Sequence, residues 1–326
     1  MASGTAKITV TPQYLPILLD SLRVDSVLDF DLYLTVNGNM VLYRSADLPF
    51  TDRTRRTLLD NRVDRLFITD DNRSRYQRYI ERNLPKIMTD PGIREEKKAN
   101  ILYDTSTNLV KEVLANPTYG ENIQRTKDLV TNTVEFILQG KEAFHTLLKI
   151  TSFDYYTYTH SVNVSTFSLA LAQQLGYGDE TFLNELGVGA LLHDVGKSRV
   201  SERILNKRAP LNPTEFEIMK RHPQWGAEIL EETDQIAAAC YYPVLQHHER
   251  GDRRGYPNGL RLDEMHVYSQ IVAIADSFDA MTTERVYQKA MDTFPALKIM
   301  FSLQTAYRDD FLKAFVELMG PTGLAD

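Results

Sequence analysis

The run Leu191-Leu192-His193-Asp194-Val195-Gly196-Lys197 sets a histidine and an aspartate side by side at the end of an apolar stretch. Burying two polar groups behind Gly187-Val188-Gly189-Ala190-Leu191-Leu192 is costly unless something binds them. A hydrogen bond between the two side chains would answer. So would a metal, with the imidazole on one ion and the carboxylate reaching a second through its other oxygen. His160, His222, the His247-His248 pair and Asp276 recur further along, each in a helical, partly apolar context, so five of the seven histidines fall in this set. One metal would leave ligands over. Six groups with Asp194 shared fit two ions, and a mixture of imidazole and carboxylate suits iron, manganese or zinc. Two close metals clamp and polarise a phosphoryl group, and a hydroxide bridging them would attack a phosphodiester in line. Lys197 lies four residues after His193, so a continuing helix would put both on one face, with the ammonium beside the metals to meet a phosphate oxygen. A solvated surface lysine is the alternative.

The elements that must position these residues are helical. His160 opens a helix that runs through Leu169-Ala170-Leu171 and stops at Gly176. His193 and Asp194 end the next apolar helix. His222 is expected to end a helix that starts with Asn212 as cap, Pro213 in the first turn and Glu215 three residues after the cap, with Pro223 stopping it. His247 and His248 follow Tyr242-Pro243-Val244-Leu245, and Asp276 sits in Ile271-Val272-Ala273-Ile274-Ala275. From Thr151 onward no convincing alternating strand appears.

The chain before that point reads differently. Residues 1–90 mix strand and helix signals. Asp31 to Val36 alternates, Asn37-Gly38-Asn39 supplies a turn, and Met40 to Arg44 resumes, which is a hairpin by period and turn chemistry. Thr51 is placed to cap a short helix, Val63 to Thr69 reads as a strand, and Arg73 to Asn83 as a helix carrying Tyr76, Tyr79 and Ile80. Pro85 to Gly92 reads as a junction. Residues 91–150 form a helical linker, with Ile101, Leu102, Thr105, Leu109 and Val113 at helical spacing and a break at Asn116-Pro117. The expected architecture is therefore mostly α: a small α/β regulatory domain over 1–90, the linker over 91–150, and an all-helical catalytic domain over 151–326.

Bulk properties exclude several classes. The chain has 326 residues and a formal net charge of −7, so no general nucleic-acid role is indicated, and a phosphate-rich ligand must be met by local cations or metals. The arginines of residues 1–90 are balanced, 13 lysines and arginines against 12 acids, and read as a solvated face. A lone cysteine, Cys240, excludes an internal disulfide and fits a reducing, cytoplasmic setting. Ile8 to Val10 is too short for a signal sequence, and no stretch is long enough to insert into a membrane.

Taken in order, the motifs resemble the HD-GYP subgroup of HD-domain metal phosphohydrolases. They are Tyr158-Thr159-His160-Ser161, His193-Asp194-Val195-Gly196-Lys197, Met219-Lys220-Arg221-His222-Pro223, His247-His248-Glu249-Arg250, Gly255-Tyr256-Pro257 and Ile274-Ala275-Asp276-Ser277-Phe278-Asp279-Ala280-Met281-Thr282. The resemblance implies a non-haem, usually iron-containing centre that hydrolyses cyclic di-GMP to pGpG and in some members to GMP. It assigns His160, His193, Asp194, His222, His247, His248 and Asp276 to the metals, with Asp194 bridging, and Lys197 and Arg285 to the substrate. It links the Gly255-Tyr256-Pro257 loop to GGDEF-type partners.

Departures from the pattern touch substrate contacts more than the metal set. Members with a third metal carry a glutamate where this chain has Tyr156, so two metals are expected. A glycine of the loop has become Arg253 beside Arg254, which puts two cations and Tyr256 near the substrate. Gln288 replaces a cation, and Lys207-Arg208-Ala209-Pro210 replaces a Lys-Pro-Gly. Three readings stay open: a cyclic di-GMP phosphodiesterase, a catalytically weak receptor for that nucleotide or for a GGDEF partner, and a phosphohydrolase of another cyclic dinucleotide. The helices of 91–150 would also support a homodimer.

Overall fold

The computed structural model describes residues 13–139, 141–150, 157–284 and 289–319. The expectations placed on Ile8 to Val10, on Tyr156 and on the run from Arg285 to Gln288 lie outside them. The chain divides into two compact units, Met1–Lys97 and Lys98–Asp326.

In the first unit the strands are β1 (Tyr14–Leu18), β2 (Ser26–Val27), β3 (Leu32–Val36), β4 (Asn39–Arg44), β5 (Pro49–Phe50) and β6 (Arg65–Thr69). They form an antiparallel sheet of order β1-β6-β3-β4, and β2 pairs with β5. The β3–β4 hairpin turns at Asn37 and Gly38, both at positive φ (49° and 79°), the two-residue turn that the Asn-Gly pair demands. Helix α1 (Asp52–Asp60) starts at Thr51, whose hydroxyl accepts the Thr54 amide at 3.2 Å. Phe30, Leu32, Phe50, Leu66, Ile68 and Leu84 close the core. Helix α2 (Arg73–Met88) corrects the expected junction: it runs through Pro85, whose carbonyl still accepts Thr89, because Leu84, Ile87 and Met88 continue the buried face.

The remaining elements are α3 (Glu95–Ala115), α4 (Gly120–Leu138), α5 (Lys141–Ile150), α6 (Thr157–Gln174), α7 (Glu180–Leu192), α8 (Glu202–Leu205), α9 (Pro213–Met219), α10 (His222–Glu231), α11 (Tyr241–Gln246), α12 (Val267–Thr282), α13 (Thr293–Ser302) and α14 (Asp309–Met319). Helix α6 is buried on every side from Thr159 to Ala172 and forms the axis of the second unit. Hydroxyls within it turn back on the helix, as in Thr166 donating to the Val162 carbonyl at 2.9 Å, or reach the next one, as in Ser165 donating to the Gly187 carbonyl at 3.1 Å. Helices α7 and α12 flank it with equally apolar faces, and the Phe167, Phe278 and Phe315 rings meet edge to face behind it. Among the described residues no helix is long and apolar enough to cross a membrane.

Two local expectations are corrected. The Asn212–Glu215 capping box is present, but its helix ends at Met219, and His222 with Pro223 opens α10. Proline is tolerated in a first turn, where its missing N–H has no partner to lose. Helix α7 stops at Leu192, and Val195–Arg199 tighten into a 3-10 turn, so Lys197 does not share a helical face with His193.

Candidate metal centre

Five chain segments bring polar groups to one buried point. His160 sits in the first turns of α6, His193 caps the end of α7 with Asp194 next to it, His222 begins α10, His247 caps the end of α11 with His248 following, and Asp276 lies within α12. His160, His193, Asp194, His222 and His247 are all at most 2% exposed. Two groups of ligand atoms close enough to hold an ion emerge: His160, His193 and Asp194 in one, and His222, His247 and His248 in the other.

Hydrogen bonds fix the ring tautomers. The Nδ1 atoms of His193, His222 and His247 face the carbonyls of Ala190, Met219 and Pro243 at 2.7, 2.8 and 2.9 Å, and His160 Nδ1 faces the Asp279 carboxylate at 2.6 Å. Oxygen acceptors require N–H there, so in the neutral form of each of these four rings Nε2 carries the lone pair. Yet His193 Nε2 lies 3.3 Å from His160 Nε2, and His222 Nε2 lies 3.1 Å from His247 Nε2. Two lone pairs pointed at each other in a dry site repel unless a cation sits between them. Metal–nitrogen bonds of about 2.1 Å, at angles from right to tetrahedral, put two nitrogens roughly 3.0–3.4 Å apart. The observed separations fit.

Asp194 straddles the two groups. Its Oδ2 lies 3.6 Å from His160 Nε2 and 3.5 Å from His193 Nε2, while its Oδ1 lies 3.3 Å from His222 Nε2 and 3.8 Å from His247 Nε2. Oδ2 also takes the Lys197 ammonium. Oδ1 is buried with no hydrogen-bond partner, a costly state that a metal would relieve. Asp276 completes the ring, with Oδ1 at 3.0 Å from His160 Nε2 and Oδ2 at 3.7 Å from His248 Nδ1. The donor set and its orphaned oxygen therefore fit two divalent ions sharing Asp194.

The loop after His248 is braced from within. Glu249, 1% exposed, accepts the amides of Asn258 at 2.6 Å and Leu260 at 2.9 Å. Gly255 lies so close to the chain that a methyl there would meet the Arg250 nitrogen at 2.4 Å. The Tyr256 ring rests 4.6 Å from His248. Arg253 adopts φ +63° where the resembled family has glycine, and the side chains of Arg253 and Arg254 stand exposed with no ion pair among the described residues. Of the residues expected at the site, the structure gathers all seven metal candidates, Lys197 and Tyr256. It leaves Arg253 and Arg254 on the loop surface, and Arg285 is outside the described residues. Asp279, Asn163 and Glu249 were missed, although Asn163 and Asp279 each follow a ligand by three residues on an otherwise apolar helix.

Charge balance follows from burial and neighbours. Burial alone would raise Asp194, but the Lys197 ammonium and the imidazoles of His193 and His222 outweigh it and hold the carboxyl well below its usual range. Asp276 is likewise held down, against its burial, by the neighbouring imidazoles of His160 and His248. Burial pushes His193 below the usual imidazole range despite Asp194, and pushes His247 down further with help from His248. In the unfolded chain these rings titrate near their ordinary value of about 6.5. Below that pH the unfolded state binds protons that the folded state refuses, so stability is full above it and is lost as pH falls. The melting temperature of the metal-free protein should therefore drop steadily between about pH 7.5 and 5. A flat or rising profile over that window would contradict this assignment.

Known proteins are similar to this chain in sequence and fold. A family profile described as HD domain matches residues 127–310. A cyclic di-GMP phosphodiesterase of Pseudomonas aeruginosa, PA4108, is 36% identical over 193 residues, 59% of this chain and 46% of that protein. A cyclic di-GMP phosphodiesterase of Thermotoga maritima is 34% identical over 197 residues, 59% of this chain and 52% of that protein. A 3'3'-cGAMP-specific phosphodiesterase 3 of Vibrio cholerae is 36% identical over 145 residues, 44% of this chain and 31% of that protein. The chain thus spans about half the length, or less, of these curated relatives. Among solved structures, Bd1817, described as a HDG"Y"P protein from Bdellovibrio bacteriovorus, superposes with a TM-score of 0.66 at 26% identity, covering 94% of this chain and 99% of that one. With its ordered His-Asp motifs on buried helices and a profile match across more than half its length, this chain belongs to the HD domain family.

Proposed function

We propose that the protein is a metal-dependent phosphodiesterase that opens cyclic di-GMP to pGpG, and onward to GMP. Its metals would be held by His160, His193, Asp194, His222, His247, His248 and Asp276. The observation that carries this reading is the pairing of Nε2 lone pairs across 3.3 and 3.1 Å, on either side of a carboxylate with one unpartnered oxygen. Relatives named for cyclic di-GMP support the substrate class. Two bound metals, iron first and manganese second by ligand type, would supply a water activated at neutral pH and positive charge against the phosphoryl oxygens.

The chain's own residues do the rest. Lys197 is half-buried at the rim, where its ammonium steadies Asp194 and can be shared with a phosphate oxygen. Tyr256 offers a ring face against His248 for a base or sugar to lie on. Arg253 and Arg254 supply unpaired cations for the second phosphate, and Arg285 joins them by its motif. A GGDEF-domain partner at the Gly255-Tyr256-Pro257 loop, a homodimer through helices of residues 91–150, and a cytoplasmic setting belong to the same reading.

A second substrate is favoured by one observation: the relative named for 3'3'-cGAMP matches at the same 36% identity as the first named for cyclic di-GMP. Metal-loaded protein should therefore be incubated anaerobically with each dinucleotide in turn, beside His193→Ala, and the products separated by chromatography. Linear product from cyclic di-GMP that vanishes in the variant is the expected result. Product from 3'3'-cGAMP alone would reassign the substrate. Tight calorimetric binding with no product would make the protein a nucleotide receptor instead.

A further inference from the structure

Four of the five imidazoles of the centre face an oxygen with Nδ1, and only one of those four oxygens carries a charge. His193, His222 and His247 give their Nδ1 protons to backbone carbonyls, whereas His160 gives its proton to Asp279. Asp279 is 1% exposed, and among the described residues no lysine or arginine pairs with it. Its second oxygen accepts the Asn163 amide at 2.7 Å, and Asn163 Oδ1 accepts the Tyr103 hydroxyl at 2.9 Å. Tyr103 comes from α3, Asn163 from α6 and Asp279 from α12, so three helices hold this carboxylate against one ring.

A carboxylate behind an imidazole draws the Nδ1 proton toward itself and makes the Nε2 lone pair a stronger donor than a carbonyl does. Asp276 adds to the same side, with Oδ1 3.0 Å from His160 Nε2. Lys197 works the other way by pairing with Asp194 Oδ2. Against that single cation, the His160–His193 half collects two further carboxylates. The opposite half offers three rings, the Asp194 Oδ1 atom and, farther off at 3.7 Å from His248 Nδ1, Asp276 Oδ2, with no carboxylate behind any of its rings among the described residues. A divalent cation gains more from a nearby anion than from one more neutral ring in a dry site.

We infer that Asp279 is a positioning residue that makes the two halves unequal, so that the half holding His160 and His193 binds its metal first and more tightly. Asn163 and Tyr103 keep the Asp279 carboxylate turned to the ring. The inference rests on the reading of this cluster as a metal centre, and its test is a binding measurement independent of turnover.

Metal-free protein titrated anaerobically with Co²⁺, in competition with a chromophoric chelator, should fill in two steps, each with its own visible absorption bands. Asp279→Asn keeps shape and removes charge. It should weaken the first step about tenfold or more, within the 10–100-fold range for a ligand's supporting carboxylate, and shift that step's bands while sparing the second. Tyr103→Phe deletes only the outermost hydroxyl and should weaken the same step by about threefold, which keeps the question answerable if Asp279→Asn does not fold. An unchanged first step in Asp279→Asn, equal weakening of both steps, or a single class of sites in the unaltered protein would each overturn the inference. No Co²⁺ binding at all by the unaltered protein would overturn the metal reading beneath it.

Discussion

Asp194→Asn should reduce hydrolysis of a cyclic dinucleotide roughly thousandfold or more, as expected when a shared metal ligand is lost. The substitution keeps the volume of the side chain and changes little else in the packing. What it removes is a fully buried charge set between both halves of the centre, with one oxygen 3.5 Å from His193 Nε2 and the other 3.3 Å from His222 Nε2. An amide also turns an NH₂ toward one pair of rings. There it donates to a lone pair that would otherwise reach a metal. The Lys197 ammonium then faces a neutral amide in place of a carboxylate, beside sites meant for cations. Metal content and turnover measured on the same preparation check this together. Two metals per chain with turnover within tenfold of the unaltered protein would show that Asp194 does not bridge.

Gly196→Ala should unfold the protein at a temperature roughly 6–12 °C lower, from a loss of about 3 kcal/mol. A methyl at Gly196 would lie 1.9 Å from the His222 carbonyl oxygen and 2.5 Å from the Gly226 nitrogen. Both are backbone atoms, so no side-chain rotation can make room. The turn Val195–Arg199 must separate from the first turn of α10, and that separation pulls Asp194 away from His222. Metal affinity should fall with stability for that reason. Gly178→Ala is the matched control, since a methyl there meets nothing within 4 Å. Equal melting temperatures for the two variants would mean that the turn and the helix yield more easily than this contact implies.

The seven candidate ligands were legible because each is a polar residue that interrupts an apolar helical run, and such interruptions are rare without a partner. Their order along the chain then matched a family pattern. The tautomers were also within reach. His193, His222 and His247 each follow by three or four residues the carbonyl that takes their proton, at helix ends where carbonyls have spare accepting capacity. Asp279 and Asn163 were harder, because a second polar residue three positions on looks like ordinary helix surface until α6 and α12 are seen to face each other. Tyr103 carries no local signal at all, since its partner is sixty residues away. Strands β1, β2 and β5 escaped because they are short and lack alternation, and two-residue pairings such as Ser26–Val27 with Pro49–Phe50 are set only by the tertiary fold. Pro85 misled for the opposite reason: a strong local breaker gave way to the burial of its neighbours.

The ligands enter from segments far apart in the chain, beginning with His160 on α6 and ending with Asp276 on α12. Whatever occupies the centre therefore acts as a rivet through the whole second unit, and it holds only the folded form. Filled, it lowers the frequency with which these segments part; empty, it leaves dry, mutually repelling rings as the weakest seam in the unit. A protease that cuts opened chains would sense that frequency, so the supply of metal would govern how long the protein persists as well as whether it works.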